Sequence, residues 1–155
     1  MRFTATLVAI TLIFFSSFAF AESAEDLKKN ITLDQTKLVV MENLTLSDEE
    51  SEKFWPSFRD FQENLYSFDT QYLQLVSFYL KKHKDKSLTD EEATKMMDAF
   101  FTLIENRRRL IRDFAFVLEM EKSLPVKKIF RYLQIQQIID ATQQYELSKK
   151  IPLLE

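Results

Sequence analysis

Glycine is absent from all 155 residues, cysteine is absent too, and proline occurs three times. Each absence excludes something. Turns that need φ > 0 are made most easily with glycine, so β-hairpins and the short loops of α/β folds are disfavoured. The phosphate-binding loop and the dinucleotide fingerprint both require glycine and are ruled out. Without cysteine there are no disulfides, no thiolate metal sites and no residue to carry a lipoprotein's lipid. Histidine occurs once, as His83, in the charged stretch KKHKDKS (81–87) between Lys82 and Lys84. A lone histidine among cations suits neither a metal ligand nor a general base, and no Ser-His-Asp set assembles around it. No enzyme, metal or cofactor is expected.

What is present begins with an export signal. Arg2 is a short positive start, Leu7 to Phe15 (LVAITLIFF) is an apolar run too short to span a bilayer, and Ala19-Phe20-Ala21 fits the small-x-small cleavage rule. Cleavage after Ala21 is expected, with an exported, periplasmic chain from Glu22 to Glu155. An uncleaved N-terminal anchor is the alternative. Removing Arg2 leaves 20 basic against 24 acidic residues, net −4. Nucleic-acid binders carry a basic excess, so that class is disfavoured.

The remaining 134 residues read as one all-α domain of four helices. A first helix is expected over about 24–43, with Leu27, Ile31, Leu38 and Met41 on one face. A second starts at LSDEE (46–50). Ser47 is a good N-cap and Glu50 stands three residues later, the pattern of a capping box. Asp48, Glu49, Glu50 and Glu52 suit the positive end of a helix dipole better than a cation site. Apolar positions then fall at Phe54, Phe58, Phe61, Leu65, Phe68, Tyr72, Leu75 and Tyr79. That 4-3-4-3 spacing is an a/d heptad. A helix over 48–82 is about 50 Å long at ~1.5 Å per residue. Pro56, inside it, should kink the rod, with Phe54 and Trp55 packed at the bend.

LTDEE (88–92) repeats the start: Thr89 caps and Glu92 stands three residues on. Its stripe is Ala93, Met96, Phe100, Leu103, Arg107, Leu110, Phe114 and Val117, broken only by Arg107. The charged stretch 81–87 between the rods reads as the tip of a long antiparallel hairpin. With the tip near residue 86, Arg59 faces Asp113 and Asp60 faces Arg112. Arg107 should snorkel toward Glu63 or a partner subunit. Arg107, Arg108, Arg109 and Arg112 form the densest basic cluster, open to internal pairing or to an anion or partner. Pro125 suits the start of a fourth helix running to about Lys149. Val126, Ile129, Phe130, Leu133, Ile135, Ile138 and Ile139 occupy more than one of its faces, so cover on two sides is expected. Ile151-Pro152-Leu153-Leu154 is an apolar tail that should pack back.

Aromatics are in excess: 10 Phe, 5 Tyr and one Trp remain after the signal. Phe78, Phe101 and Phe116 lie off the stripes. Leu73, Val76 and Leu80 add further apolar faces. Two rods alone leave these open, so helices 1 and 4, a second subunit or a client must cover them.

The signal, the helical chain of this size and the two starts Leu46-Ser47-Asp48-Glu49-Glu50 and Leu88-Thr89-Asp90-Glu91-Glu92 resemble the Spy/CpxP family of periplasmic proteins, marked by a repeated LTxxQ motif. Both copies here carry Glu in the Gln position. FWP (54–56), LPVKKIFRYLQIQ (124–136) and IPLL (151–154) resemble an uncharacterised branch of it. The resemblance implies long bent helices in an antiparallel, cradle-shaped homodimer. It also implies one of three activities: ATP-independent chaperone, inhibitor of envelope-stress signalling, or metal-responsive sensor. This chain is net acidic where the family's chaperones are basic, and it lacks the His or Cys ligands of the sensors. The expected function is chaperone-like binding of unfolded or partner proteins through apolar helical surface, with Phe78, Phe101, Phe116, Arg107, Arg108 and Arg112 as the contact residues. A regulatory partner of an envelope-stress signalling system is the alternative.

Overall fold

The computed structural model describes residues 33–154. The predicted signal, Leu27 and Ile31 lie outside that span. All regular structure among the described residues is helical: α1 (Leu33–Asn43), α2 (Asp48–Lys84), α3 (Asp90–Met120) and α4 (Val126–Ser148). None of these helices is long and apolar enough to cross a membrane.

Both expected capping boxes are formed. The Ser47 hydroxyl accepts the Glu50 N–H at 3.3 Å and the Glu50 carboxylate accepts the Ser47 N–H at 2.7 Å. Thr89 and Glu92 repeat this at 3.2 and 3.1 Å. Each glutamate also takes a lysine from another helix, Glu50 from Lys128 on α4 and Glu92 from Lys82 on α2. This gives a physical reason for Glu in a position where Gln would serve as cap. Glutamine can close the box, but only a carboxylate can also form the ion pair.

The C-termini solve the missing-glycine problem in a matched way. Lys86 and Lys122 adopt φ of 48° and 51°, the left-handed region. Ser87 N–H donates to the Lys82 carbonyl and Lys86 N–H to His83. Ser123 N–H donates to Leu118 and Lys122 N–H to Glu119. Both are Schellman closures with lysine where glycine is usual. The repeated Lys-Ser-Leu of 86–88 and 122–124 marks them in the sequence.

α2 and α3 run antiparallel. Phe61 stacks on Phe114 with ring centroids 4.3 Å apart, Tyr72 meets Phe100, and Lys82 meets Glu92. The expected pairs Arg59–Asp113 and Asp60–Arg112 are not made. Arg59 pairs with Asp60 and Arg112 with Asp113, each with its own sequence neighbour. The rings and the buried charges set the register, and exposed ion pairs are too weak to compete.

The core is gathered at the end of α2 and α3 remote from their connecting turn. There Val40 and Leu44 of the α1 region, Phe54, Phe58, Phe61 and Leu65 of α2, Phe114 and Leu118 of α3, Leu124, and Ile129, Tyr132 and Ile135 of α4 form one buried cluster. Three expectations are corrected here. In α1 the inward residues are Thr36 and Val40, while Leu38 and Met41 are exposed. The α3 stripe steps from Phe114 to Leu118 rather than to exposed Val117, as a 3.6-residue turn drifts off a strict heptad. In α4 only one face is covered, by Ile129, Tyr132 and Ile135, and Val126, Phe130 and Ile138 stay exposed.

α2 is helical without a break through Pro56. Buried Phe54 and Phe58 flank the proline and hold the helix across the missing hydrogen bond. Trp55 is only half-buried. It packs edge-on against Phe54 and Phe58, with the Lys37 ammonium 5.4 Å above its ring.

Candidate functional site

Next to the core, toward the turn, a polar chain crosses from α2 through α4 to α3. Gln62 Nε2 and the Tyr132 hydroxyl both donate to Gln136 Oε1, at 3.1 and 3.0 Å. Gln136 Nε2 donates to Asp140 Oδ1 at 2.8 Å. Arg107 then donates from both terminal nitrogens to Asp140, each at 2.7 Å, and from Nε to Asp69 Oδ1 at 3.4 Å. Tyr132, Gln136 and Asp140 stand four residues apart, so one row of α4 faces the seam.

Arg107 therefore does not snorkel toward Glu63. It stands on the inward stripe, its side chain follows that stripe, and Asp140 and Asp69 compensate it there. Burial opposes its charge, but the two carboxylates outweigh burial and hold it fully ionised. For Asp69 the balance falls the other way. Burial pushes its carboxyl up, more than Arg107 lowers it, and Asp140 adds to the rise. Burial also pushes the Tyr132 phenol well up, so that it acts as a neutral donor.

Beyond this chain, still further toward the turn, lies a groove of about 440 Å³. Phe68, Tyr72 and Leu73 of α2 form one wall, Phe100, Leu103 and Ile104 of α3 another, and Leu147 with the tail residues Ile151 and Leu153 the third. The tail packs back as expected: the Tyr79 hydroxyl donates to the Pro152 carbonyl at 2.8 Å. Arg107, Asp69 and Asp140 line the end of the groove nearest the core.

The expected contact residues are not brought together. Phe78, Phe101 and Phe116 are 40%, 55% and 60% exposed, on α2 and at two levels of α3. Phe101 rests edge-on against Phe100, and Lys82 sits over the Phe78 ring. The arginine cluster is divided: Arg107 points inward, Arg108 and Arg112 outward. Arg109 holds Asn106 at 2.7 Å. His83 packs against Tyr79. Among the described residues no group of three or more His, Asp or Glu side chains gathers where it could hold a metal ion. Sequence reasoning missed Asp69, Asp140 and the two buried glutamines. The signal was there: an arginine alone in an apolar stripe requires carboxylates at its own level, and the i, i+4, i+8 row Tyr132-Gln136-Asp140 offers one.

Comparison with family models, with curated proteins and with solved structures finds no match to this chain.

Proposed function

We propose that this protein is an exported, periplasmic, ATP-independent chaperone-like binder of unfolded or partner proteins, without catalysis. The observation that carries this reading is the open apolar row on the turn-side half of α3. Met97, Phe100, Phe101 and Ile104 are all exposed there, with exposed Phe78 on α2. Apolar side chains clustered on a surface mark contact sites. The Spy/CpxP-like starts at Ser47 and Thr89 agree with it. The absence of glycine, and hence of a glycine-rich phosphate-binding loop, supports the ATP-independent reading. A cradle-like homodimer built on the α2/α3 hairpin belongs to the same reading, because the second copy would cover Val126, Phe130 and Ile138 on α4. Outward-facing Arg108 and Arg112 favour a second reading, a regulatory partner docking on a sensor through charge.

Aggregation suppression by the purified protein tests the first reading. Replacing Phe78, Phe101 and Phe116 together by Ser should lower protection of an unfolded test protein while far-UV circular dichroism stays unchanged. A protein that is monomeric at micromolar concentration and slows no aggregation loses the chaperone reading, and the regulatory one replaces it.

A further inference from the structure

The groove beside Asp69 has an electrostatic imbalance that selects a ligand. Its volume lies within the roughly 300–1,000 Å³ of small-molecule sites, and such sites pair apolar walls with a few polar groups. The polar groups here are unevenly matched. Arg107 spends both terminal nitrogens on Asp140 at 2.7 Å and reaches Asp69 Oδ1 only at 3.4 Å through Nε. Asp69 Oδ2 accepts no hydrogen bond from the described residues, and although most of the carboxylate is buried this oxygen keeps an opening to the groove. Two carboxylates share one guanidinium, which leaves a negative charge at the inner end of an apolar groove. Of the other charges in the lining, Glu146 is paired with Lys149, and Lys150 forms no ion pair with Asp69 among the described residues, so the uncompensated carboxylate oxygen is that of Asp69. The carbonyl end of α4, closing at Lys149, adds to the negative side.

We propose that this groove binds a small amphiphilic cation, with its apolar body against Tyr72, Phe100, Leu103 and Leu147 and its ammonium donating to the free oxygen of Asp69. The alternative chemistries fit this end of the groove less well. An anionic amphiphile is repelled by Asp69 and finds Arg107 already occupied, which leaves it only Lys150 of the lining. A neutral one gains only apolar contact and leaves Asp69 as it was. A cation supplies the partner that Arg107 gives only through Nε at 3.4 Å, and the upward shift of the Asp69 carboxyl, caused chiefly by burial, agrees with that. The inference does not rest on the client-binding reading, since its deciding contact is Asp69, although Phe100 and Ile104 border both the groove and the exposed row of α3.

Titration calorimetry of the purified protein with octylamine, octanol and octanoate at neutral pH tests it. These share one chain length and differ in head charge. Octylamine should bind about tenfold or more tighter than octanol, the worth of one charge-assisted bond, and octanoate weaker than both. Asp69→Asn should bring octylamine down to the octanol affinity without changing octanol. Leu103→Trp should fill the groove and abolish both. Equal affinity for the three compounds, no binding of any, or an amine preference that survives Asp69→Asn would each overturn the assignment. The rank order on the unmodified protein decides the matter even if a variant fails to fold.

Discussion

The two ends of the α2/α3 pair carry one stripe and have different interiors. Near the base, Phe54, Phe58, Phe61 and Leu65 are buried. Toward the turn, Phe68, Tyr72, Leu75 and Tyr79 continue the same spacing but stay half open, and Val76 is the one buried apolar side chain of that half. The difference is in the neighbours. α1 and α4 pack around the base, whereas among the described residues the turn-side half has only the other rod, the end of α4 and the tail. Periodicity decides which side chains face inward. The number of helices at that level decides how much water they lose, and so how much they stabilise. The polar chain from Gln62 to Arg107 stands at the boundary.

The largest effects should come from breaking the base. Phe54 is fully buried and touches the rings of Trp55, Phe58, Phe114 and Tyr132. Phe54→Ala should cost about 3–5 kcal/mol in urea unfolding. Phe101→Ala, on the open half, should change stability by less than about 0.5 kcal/mol. Comparable costs at the two sites would mean that the turn-side half is buried in solution, against a second copy. Arg107→Met should cost about 3 kcal/mol, because it leaves Asp140 and Asp69 buried without a cation. Adding Asp140→Leu and Asp69→Asn to that variant should restore most of the loss. If the single variant is harmless, the boundary chain is wet and the division between the halves is less sharp.

The helix starts, the inward stripe of α2, the hairpin direction and the returning tail were legible from spacing, because each depends on neighbours in sequence. Residues whose placement depends on a third helix were not. Arg107 reads as an arginine snorkelling from its stripe toward Glu63 or a partner subunit until α4 brings Asp140 to its level. Val117 and Leu118 exchange roles through a drift that accumulates over several turns. Cover on α4 depends on partners that its own periodicity does not reveal. Arg112 and Asp60 read as complementary across the hairpin but made no difference to its register.

Acid should separate the carboxylates of the helix starts from Asp69 at the boundary. Glu50 and Glu92 are held below the ordinary carboxylate range, first by the hydrogen bonds from Lys128 and Lys82, then by the Ser47 and Thr89 backbone N–H groups. A depressed carboxyl contributes stability that is complete above its unfolded pKa of about 4.3 and is lost as pH falls through the folded value. Asp69 is raised, chiefly by burial, so the sign reverses. Its contribution is complete below the unfolded value of about 3.9 and is lost as pH rises through the folded one. Glu50→Gln with Glu92→Gln should therefore flatten the acid limb of a stability–pH profile. Asp69→Asn should gain stability relative to the parent between acid and neutral pH. An acid limb unchanged by the double variant would show that the lysine contacts of the helix starts are not maintained in solution.

The smallest effect concerns the two lysine turns, and it sharpens the comparison most. Lys86 and Lys122 hold the same left-handed conformation in the same Schellman closure, one at the open turn and one at the base. A side chain in that region costs roughly 1–2 kcal/mol that glycine avoids. Glycine also gives part of this back through the freedom it adds to the unfolded chain. The net gain from Lys→Gly should be about 0.5–1 kcal/mol at either site, if both turns unfold with the rest of the molecule. The surroundings differ, however. Ser123 and Leu124, which follow Lys122, are buried, whereas Lys86 and Ser87 are exposed and Leu88 is half-buried. Lys122→Gly should therefore raise the global unfolding free energy by the full amount. Lys86→Gly should mainly slow local opening, seen as slower amide exchange near the turn with little change in the urea midpoint. Equal shifts of the midpoint would show that base and turn unfold as a single cooperative unit.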